Sequence, residues 1–387
     1  MEISNGDLRM EAQKIYLDFN ASTPIAPEVA EAMKPFLSHH FGNPSSQHWE
    51  GIPAKEAVEI AREQVADLLR CSPNEIVFTS GGSESNNHAI KGVFFTLRGK
   101  GDHIITTQIE HPAVINPCRF LEKLGAEVTY VPVDRYGTVD PQDVQKAITP
   151  RTILITVMHA NNEVGTIQPI EEISKIARER GIVFHTDAAQ SVGKIVTKVD
   201  DLRVDLLSIA GHKVYAPKGI GALYIRKGRP IEPLIHGAGH ESGRRAGTEN
   251  VLLIVGLGKA CEVAKRYVGD DRICSMRDRF WKLLQENFGE KVALNGHPVH
   301  RLPNTLNVSF VGKAGGEILS RLDGVAASTG AACHSGSVEL SPVLKAMGIS
   351  PEVGMGAIRF SLGRTTTVQE LERVIDLLKH SPLLLTQ

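Results

Sequence analysis

The sequence predicts an α/β protein with a mainly parallel sheet covered on both faces, followed by a smaller α+β part. Three observations carry this. From about residue 16 to about residue 261, short β-branched runs alternate with helix-like stretches. The runs are nearly continuous in apolar residues, as strands buried on both faces must be. Beyond the helix-like stretch 251–268 the alternation breaks into isolated strands and helices.

In chain order the strands read as 76–78, 103–106, 128–131, 152–157, 182–184, 206–209 and 222–225. The amphipathic stretches between them are 54–69, 115–124, 141–147 and 170–180. In the carboxy-terminal part, 304–310 and 357–362 read as strands and 316–321 as a helix. The last helix opens on Thr367-Val-Gln-Glu370, a capping box whose hydroxyl and carboxylate satisfy orphan N–H groups. No repeat and no low-complexity linker separates the two parts, so they are expected to pack closely.

Composition narrows the function classes. The 387 residues are 42% hydrophobic and 22% charged, which excludes a disordered or fibrous chain. Lys and Arg number 43 against 44 Asp and Glu, a net charge of −1. No global positive field exists to hold a phosphate backbone, so nucleic acid is not the expected ligand. Residues 1–13 lack an apolar signal core, and no run approaches the roughly 18 apolar residues of a bilayer span. A soluble, cytoplasmic protein with no membrane partner is expected. Cys71, Cys118, Cys261, Cys274 and Cys333 are odd in number, scattered, and without a C-x-x-C pair. That pattern fits a reducing compartment better than a disulfide framework or a thiolate zinc site.

Open α/β sheets bind ligands beyond the carboxyl ends of their strands, so the residues following each strand are where chemistry is sought. After the first strand comes Thr79-Ser80-Gly81-Gly82-Ser83-Glu84-Ser85-Asn86-Asn87. Bare glycines and a hydroxyl at a helix start make an anion cradle, though the segment taken alone reads first as a capped helix start without a ligand. After the second comes Glu110-His111-Pro112, whose imidazole could stack on a flat ring, act as acid or base, or be purely structural. After the fourth comes His159-Ala160-Asn161-Asn162-Glu163, two amides also compatible with an Asx turn. After the fifth comes His185-Thr186-Asp187-Ala188-Ala189-Gln190. A carboxylate at the end of a buried strand is costly unless it meets a cation or a donor, or serves as an N-cap. After the sixth comes Gly211-His212-Lys213. Most lysines are solvated surface groups, but an apolar strand delivers Lys213 to this same rim, where it could form a Schiff base.

Taken together, an anion cradle, a buried acid, an imine-forming lysine, a stacking imidazole and polar amides match what pyridoxal 5′-phosphate needs. A dinucleotide would want G-x-G-x-x-G after a strand, and Gly237-Ala-Gly239-His-Glu-Ser-Gly243 has the wrong spacing. The P-loop pattern is absent.

The order and spacing of these motifs resemble the cysteine desulfurases of the pyridoxal-phosphate-dependent class V aminotransferase fold. The resemblance runs from Tyr16-Leu-Asp-Phe-Asn-Ala-Ser-Thr-Pro24 to Ser361-Leu-Gly-Arg364, nearly the whole chain. It implies fold type I: a large domain (16–262) on a mainly parallel seven-stranded sheet, and a small domain (263–387 with 1–15). It implies that Lys213 binds the cofactor aldehyde and shuttles the proton, Asp187 pairs with the pyridinium nitrogen, Gln190 bonds the phenolic oxygen and His111 stacks on the ring. Gly82, Ser83 and His212 would hold the phosphate, joined by Thr248 from a second subunit of a homodimer. Ala210 stands where many relatives carry a phosphate-binding serine, which removes one hydrogen bond. Asn162 and Arg359 would hold the substrate carboxylate, for which a bidentate guanidinium fork is suited.

Cys333 lies in Ser328-Thr-Gly-Ala-Ala-Cys-His-Ser-Gly-Ser337, small residues expected to form a mobile loop with little to pack against. A free thiol has a pKa near ~8.5, so attack requires something that favours the thiolate. The resemblance makes Cys333 the nucleophile on the substrate sulfur, leaving a persulfide for an acceptor protein and L-alanine from L-cysteine. The 332–335 and 341–344 stretches resemble selenocysteine lyases, making L-selenocysteine the alternative substrate. Pro112, however, stands where those enzymes carry an acidic residue. The chain ends at Gln387 without the tail by which housekeeping desulfurases dock an iron–sulfur scaffold. Two rivals come from other classes. A catalytically silent interaction subunit on the same fold is opposed by the presence of both Lys213 and Cys333. A metalloenzyme would use histidines such as His236 and His240, whose spacing falls in a Gly-rich loop and gives no shared helical face.

Overall fold

The computed structural model describes residues 14–329, 331–334 and 337–385, with the side chains of 331–338 and 385 outside that range. Seven strands form the large sheet: β1 (Ile76–Thr79), β2 (His103–Thr107), β3 (Glu127–Val131), β4 (Thr152–Thr156), β5 (Val183–Asp187), β6 (Leu206–Ala210) and β7 (Gly221–Ile225). Their order is β1-β7-β6-β5-β4-β2-β3. From β6 to β3 the neighbours pair in parallel. β7 runs antiparallel to both β1 and β6, so six strands end on one rim. Every residue of these strands except in edge strand β3 is buried, which explains the unbroken apolar runs.

The sequence predicts that the fifth strand ends at Phe184; β5 continues to Asp187. The polar His185 does not break it because its ring bridges the two flanking strands. Its Nδ1 meets Thr156 Oγ1 at 2.8 Å and its Nε2 meets Ser208 Oγ at 2.9 Å. Paired in this way, a buried imidazole costs little, and burial holds it neutral with its pKa pushed down to about 3. Asp187 is therefore fixed by the sheet itself rather than by a loop.

Helices cover both faces. α1 (Gly51–Leu69) and α5 (Val251–Ala264) pack with the face of the sheet that carries Ile105, Ile155 and Leu207. α2 (Gly82–Leu97) and α3 (Pro112–Glu122) cover the opposite face, which carries Ile104, Leu154 and Leu206.

The carboxy-terminal part is a four-stranded antiparallel sheet of β8 (Val292–Asn295), β9 (Thr305–Phe310), β10 (Ser328–Thr329) and β11 (Ala357–Ser361), in the order β10-β11-β9-β8. α6 (Asp271–Phe288) and α7 (Val368–Lys379) share its core, with Phe280 edge-on to Phe360 at 5.2 Å between centroids. The capping box at Thr367 forms in both directions. α6 carries two signals of its own: Asp270 caps Arg272 N–H at 2.9 Å, and Met276, Phe280 and Leu284 recur at helical spacing on its buried side.

The backbone around Cys333 differs from the expected loop. Ala331–His334 and Ser337–Leu340 pair as an antiparallel hairpin with Cys333 opposite Val338. A ladder of backbone hydrogen bonds does not need bulky side chains, so small residues do not preclude it.

Asn20 joins the two parts. Its N–H donates to Ser361 Oγ (2.9 Å), and its amide nitrogen donates to Thr305 Oγ1 (2.8 Å) and to the Asn162 carbonyl (3.2 Å). The carboxy-terminal sheet is thereby pinned to the rim of the large one. Among the described residues, no helix is long and apolar enough to cross a membrane.

Candidate active site

A cavity of about 600 Å³ opens over the rim where β1, β2, β4, β5 and β6 end. Asp187, the last residue of β5, lies at its floor and is 6% exposed. One carboxylate oxygen accepts from the Asn86 amide at 2.7 Å and the other from the Ala189 N–H at 2.9 Å. Each oxygen keeps a lone pair for a further donor. Asn86, on the second turn of α2, belongs to the motif read from the sequence but was given no part there. Its pairing with Asp187 follows from helix packing, which spacing along the chain does not reveal.

Lys213 sits in the turn Gly211–Lys213 directly after β6. Its Nζ donates to the Asn20 carbonyl at 2.6 Å and the Ala21 carbonyl at 2.7 Å. Burial first, and the Arg359 guanidinium second, push its pKa down to about 8, against the opposing pull of Asp18 and Asp187. A substantial neutral fraction of the amine near physiological pH makes it a competent nucleophile.

His111 caps α3, its Nδ1 accepting from Ala113 N–H at 3.1 Å. The capping role, which the sequence left as an alternative, is thus real. Yet the ring also lines the cavity at its exposed mouth, and the two roles are compatible. Desolvation on the side of the ring turned to the protein lowers its pKa. Glu110 beside it was not singled out from the sequence. One of its oxygens accepts from Thr107 Oγ1 (2.8 Å) and Met158 N–H (2.9 Å), and the other has no partner. Burial pushes its pKa up to about 8.

Gly82 and Ser83 form the opening of α2, whose first N–H groups have no helical acceptor. Gly81 has φ +145, a conformation closed to residues with a Cβ. A Cβ on Gly82 would stand 3.1 Å from that of Ala210. The result is a small-residue cradle beside His212, whose ring burial and the neighbouring Lys213 and Lys218 hold neutral with a pKa of about 4. Arg245 reaches the same helix opening through Glu84, 2.9 Å away. Thr248, three residues on, is exposed and does not line this cavity.

Gln190 lines the cavity with both ends of its amide engaged. Its oxygen accepts from Lys194 at 2.8 Å, and its nitrogen donates to the Asn20 carbonyl at 2.9 Å. Arg359, on β11, enters from the carboxy-terminal sheet beside Asn162. It donates to the Asn162 carbonyl (3.0 Å), to Asp18 (2.7 Å) and to Ser328 (2.9 Å), while its buried Nε–H has no partner. That buried orphan donor is the kind of group a carboxylate would satisfy.

The Cys333 side chain lies outside the described side chains. Its hairpin leads straight into Ser341, which caps Val343 and donates to Glu163, the neighbour of Asn162. Neither His236 nor His240 meets a metal-like set. Among the described residues, no group of three or more His, Cys, Asp or Glu side chains could hold an ion.

The cavity thus fits pyridoxal phosphate on its own chemistry. An open helix start and His212 suit a phosphate, Asp187 with spare lone pairs suits a ring N–H, and a depressed lysine suits an aldehyde.

Comparison with known proteins agrees with this architecture. Residues 15–374 match the Aminotransferase class-V family. Cysteine desulfurase IscS of Dictyoglomus turgidum is 54% identical over 95% of this chain and 94% of its own. A solved NifS-like protein superposes with a TM-score of 0.89 at 39% identity, covering 95% of this chain and 98% of its own. SspA, solved in complex with cysteine, gives 0.81 at 44% identity, covering 90% of this chain and 98% of its own. The chain belongs to the class-V aminotransferase family and, within it, to the cysteine desulfurases.

Proposed function

We propose that this protein is a pyridoxal-phosphate-dependent cysteine desulfurase that converts L-cysteine to L-alanine and passes the sulfur, through Cys333, to an acceptor protein. One observation carries this reading: Lys213, with its lowered pKa, shares a single cavity with Asp187, His111 and Arg359. Bound to Lys213, the cofactor would supply an electron sink for the substrate Cα.

The residues of the chain do the rest. Arg359 and Asn162 receive the substrate carboxylate and set its Cα against the Lys213 amine, which takes and returns the Cα proton. Asp187 keeps the ring nitrogen protonated, His111 stacks over the ring, and Gln190 meets its phenolic oxygen. Gly82, Ser83 and His212 hold the phosphate, with Thr248 reaching the partner's cavity in a homodimer. The Cys333 thiolate attacks the substrate sulfur; an S–S bond forms as the C–S bond breaks. The electron pair stays on the substrate carbon, which takes up a proton and leaves as alanine. We assign residues 16–262 to the cofactor-binding domain and 263–387 with 1–15 to the domain that carries Cys333, working in the cytoplasm.

The test is alanine release by the purified, cofactor-loaded protein from L-cysteine and, in parallel, from L-selenocysteine. Alanine from cysteine, with persulfide recovered on Cys333, is expected. Turnover of selenocysteine alone would make the protein a selenocysteine lyase instead.

A further inference from the structure

Lys194 is a half-buried basic group that the proposed reaction does not use. It follows Gln190 by one turn and does not line the main cavity. It borders a small cavity of about 40 Å³ behind it, with Tyr215 and Arg364. Its Nζ donates to Gln190 Oε1 at 2.8 Å and to Asn20 Oδ1 at 3.1 Å. The Asn20 oxygen must be the acceptor there, because the nitrogen of the same amide is committed to Thr305 and Asn162.

Gln190 is consequently held from both ends. Its oxygen faces an amine, and its nitrogen faces the Asn20 carbonyl at 2.9 Å. A half-turn of the amide would set two oxygens against each other and break the lysine bond. With one N–H spent on Asn20, the amide has its second N–H left to offer the cavity. We propose that Lys194 is a positioning residue: it locks the Gln190 amide so that the cavity presents a donor, not an acceptor, to the ring oxygen of the cofactor. The inference rests on the pyridoxal phosphate reading of this cavity. Burial, with Lys213 and Arg359 nearby, holds the Lys194 amine well below its ordinary pKa. Protonated or neutral, the amine keeps at least two N–H bonds, one for each acceptor.

A double-mutant cycle tests this, read by the cofactor's dissociation constant and by the position of its visible absorption band. Lys194→Met keeps an unbranched stem and removes the donors. It is expected to weaken cofactor binding about tenfold, the worth of one buried hydrogen bond, and to shift the band. Lys194→Gln, which retains N–H donors, should fall between the two, and it carries the test if the Met variant does not fold. In a Gln190→Ala background, Lys194→Met should change the dissociation constant less than about twofold. Equal losses in both backgrounds, or none in the first, overturn the inference. If the unaltered protein binds no pyridoxal phosphate and shows no band, the functional reading falls as well, an outcome distinct from a coloured protein indifferent to Lys194.

Discussion

The Lys213 amine is 2.6 Å from the main-chain carbonyl of Asn20, so the amino-terminal segment, not the carboxylate of Asp187, holds it. Two carbonyl acceptors, those of Asn20 and Ala21, fix its direction without giving it a counter-charge. That arrangement leaves burial and Arg359 free to lower its pKa to about 8. The neutral amine is the form that attacks an aldehyde. Uptake of pyridoxal phosphate by the cofactor-free protein should therefore accelerate as pH rises through about 8 and then level off. Stopped-flow absorbance measures it, and a rate flat from pH 6 to pH 10, a range chosen to bracket that value, would contradict the assignment.

Cys333→Ala should abolish persulfide while leaving the cofactor's visible band unchanged, because the groups assigned to the ring are Lys213, Asp187, His111 and Gln190. Mass spectrometry after a single turnover reads the first and absorbance the second. Desulfuration that survives would mean that another residue is the nucleophile.

Arg359→Lys should lower kcat/KM for cysteine on the order of 100-fold, about 2.7 kcal/mol, mostly through KM. A lysine cannot reproduce the fork that holds Asp18, Ser328 and the Asn162 carbonyl while keeping Nε–H for a carboxylate. Steady-state kinetics decide it. A fall in kcat with KM unchanged would move Arg359 from substrate binding to the chemical step.

Glu110 gives a pH signature in stability. Its folded pKa is raised to about 8, against about 4.5 for an exposed glutamate. Between these values the folded state holds a proton that the unfolded state lacks. This contribution is therefore complete below the unfolded value and is lost as pH rises toward 8, by up to about 1.4 kcal/mol per pH unit. Glu110→Gln should flatten that slope, and denaturant unfolding at pH 5 and pH 8 measures it. An unchanged slope would mean that the carboxyl is ionised.

Much of this was readable in advance, for a physical reason. Strands buried on both faces must be apolar, so the runs at β2, β4 and β6 declared themselves, and the rim rule then located Asp187, Lys213 and His111. Less was visible where polar residues are satisfied by distant partners. His185 seemed to end β5 because Thr156 and Ser208, which accept it into the sheet, are far away in sequence. Asn86, Glu110 and, in its bond to Asn20, Lys194 meet neighbours that only packing supplies. The hairpin around Cys333 has neither bulk nor alternation to announce it.

The same holds for the buried pair of Arg62 and Glu241. The two groups pair through bonds of 2.8 and 2.9 Å, and Glu241 also accepts from Phe78 N–H at the start of the rim. Glu241→Ala strands a buried guanidinium and should cost about 3–5 kcal/mol, measured by chemical denaturation. A loss under about 1 kcal/mol, the range of an exposed pair, would show that water reaches the site.

The central claim is that Lys213 carries the cofactor, and reductive trapping tests it most directly. The pyridoxal-phosphate-loaded protein is reduced with borohydride, digested and sequenced by mass spectrometry. A single modified peptide with the cofactor on Lys213 is the predicted result. Modification at Lys194 or Lys218 instead, or no modified lysine at all, would contradict it.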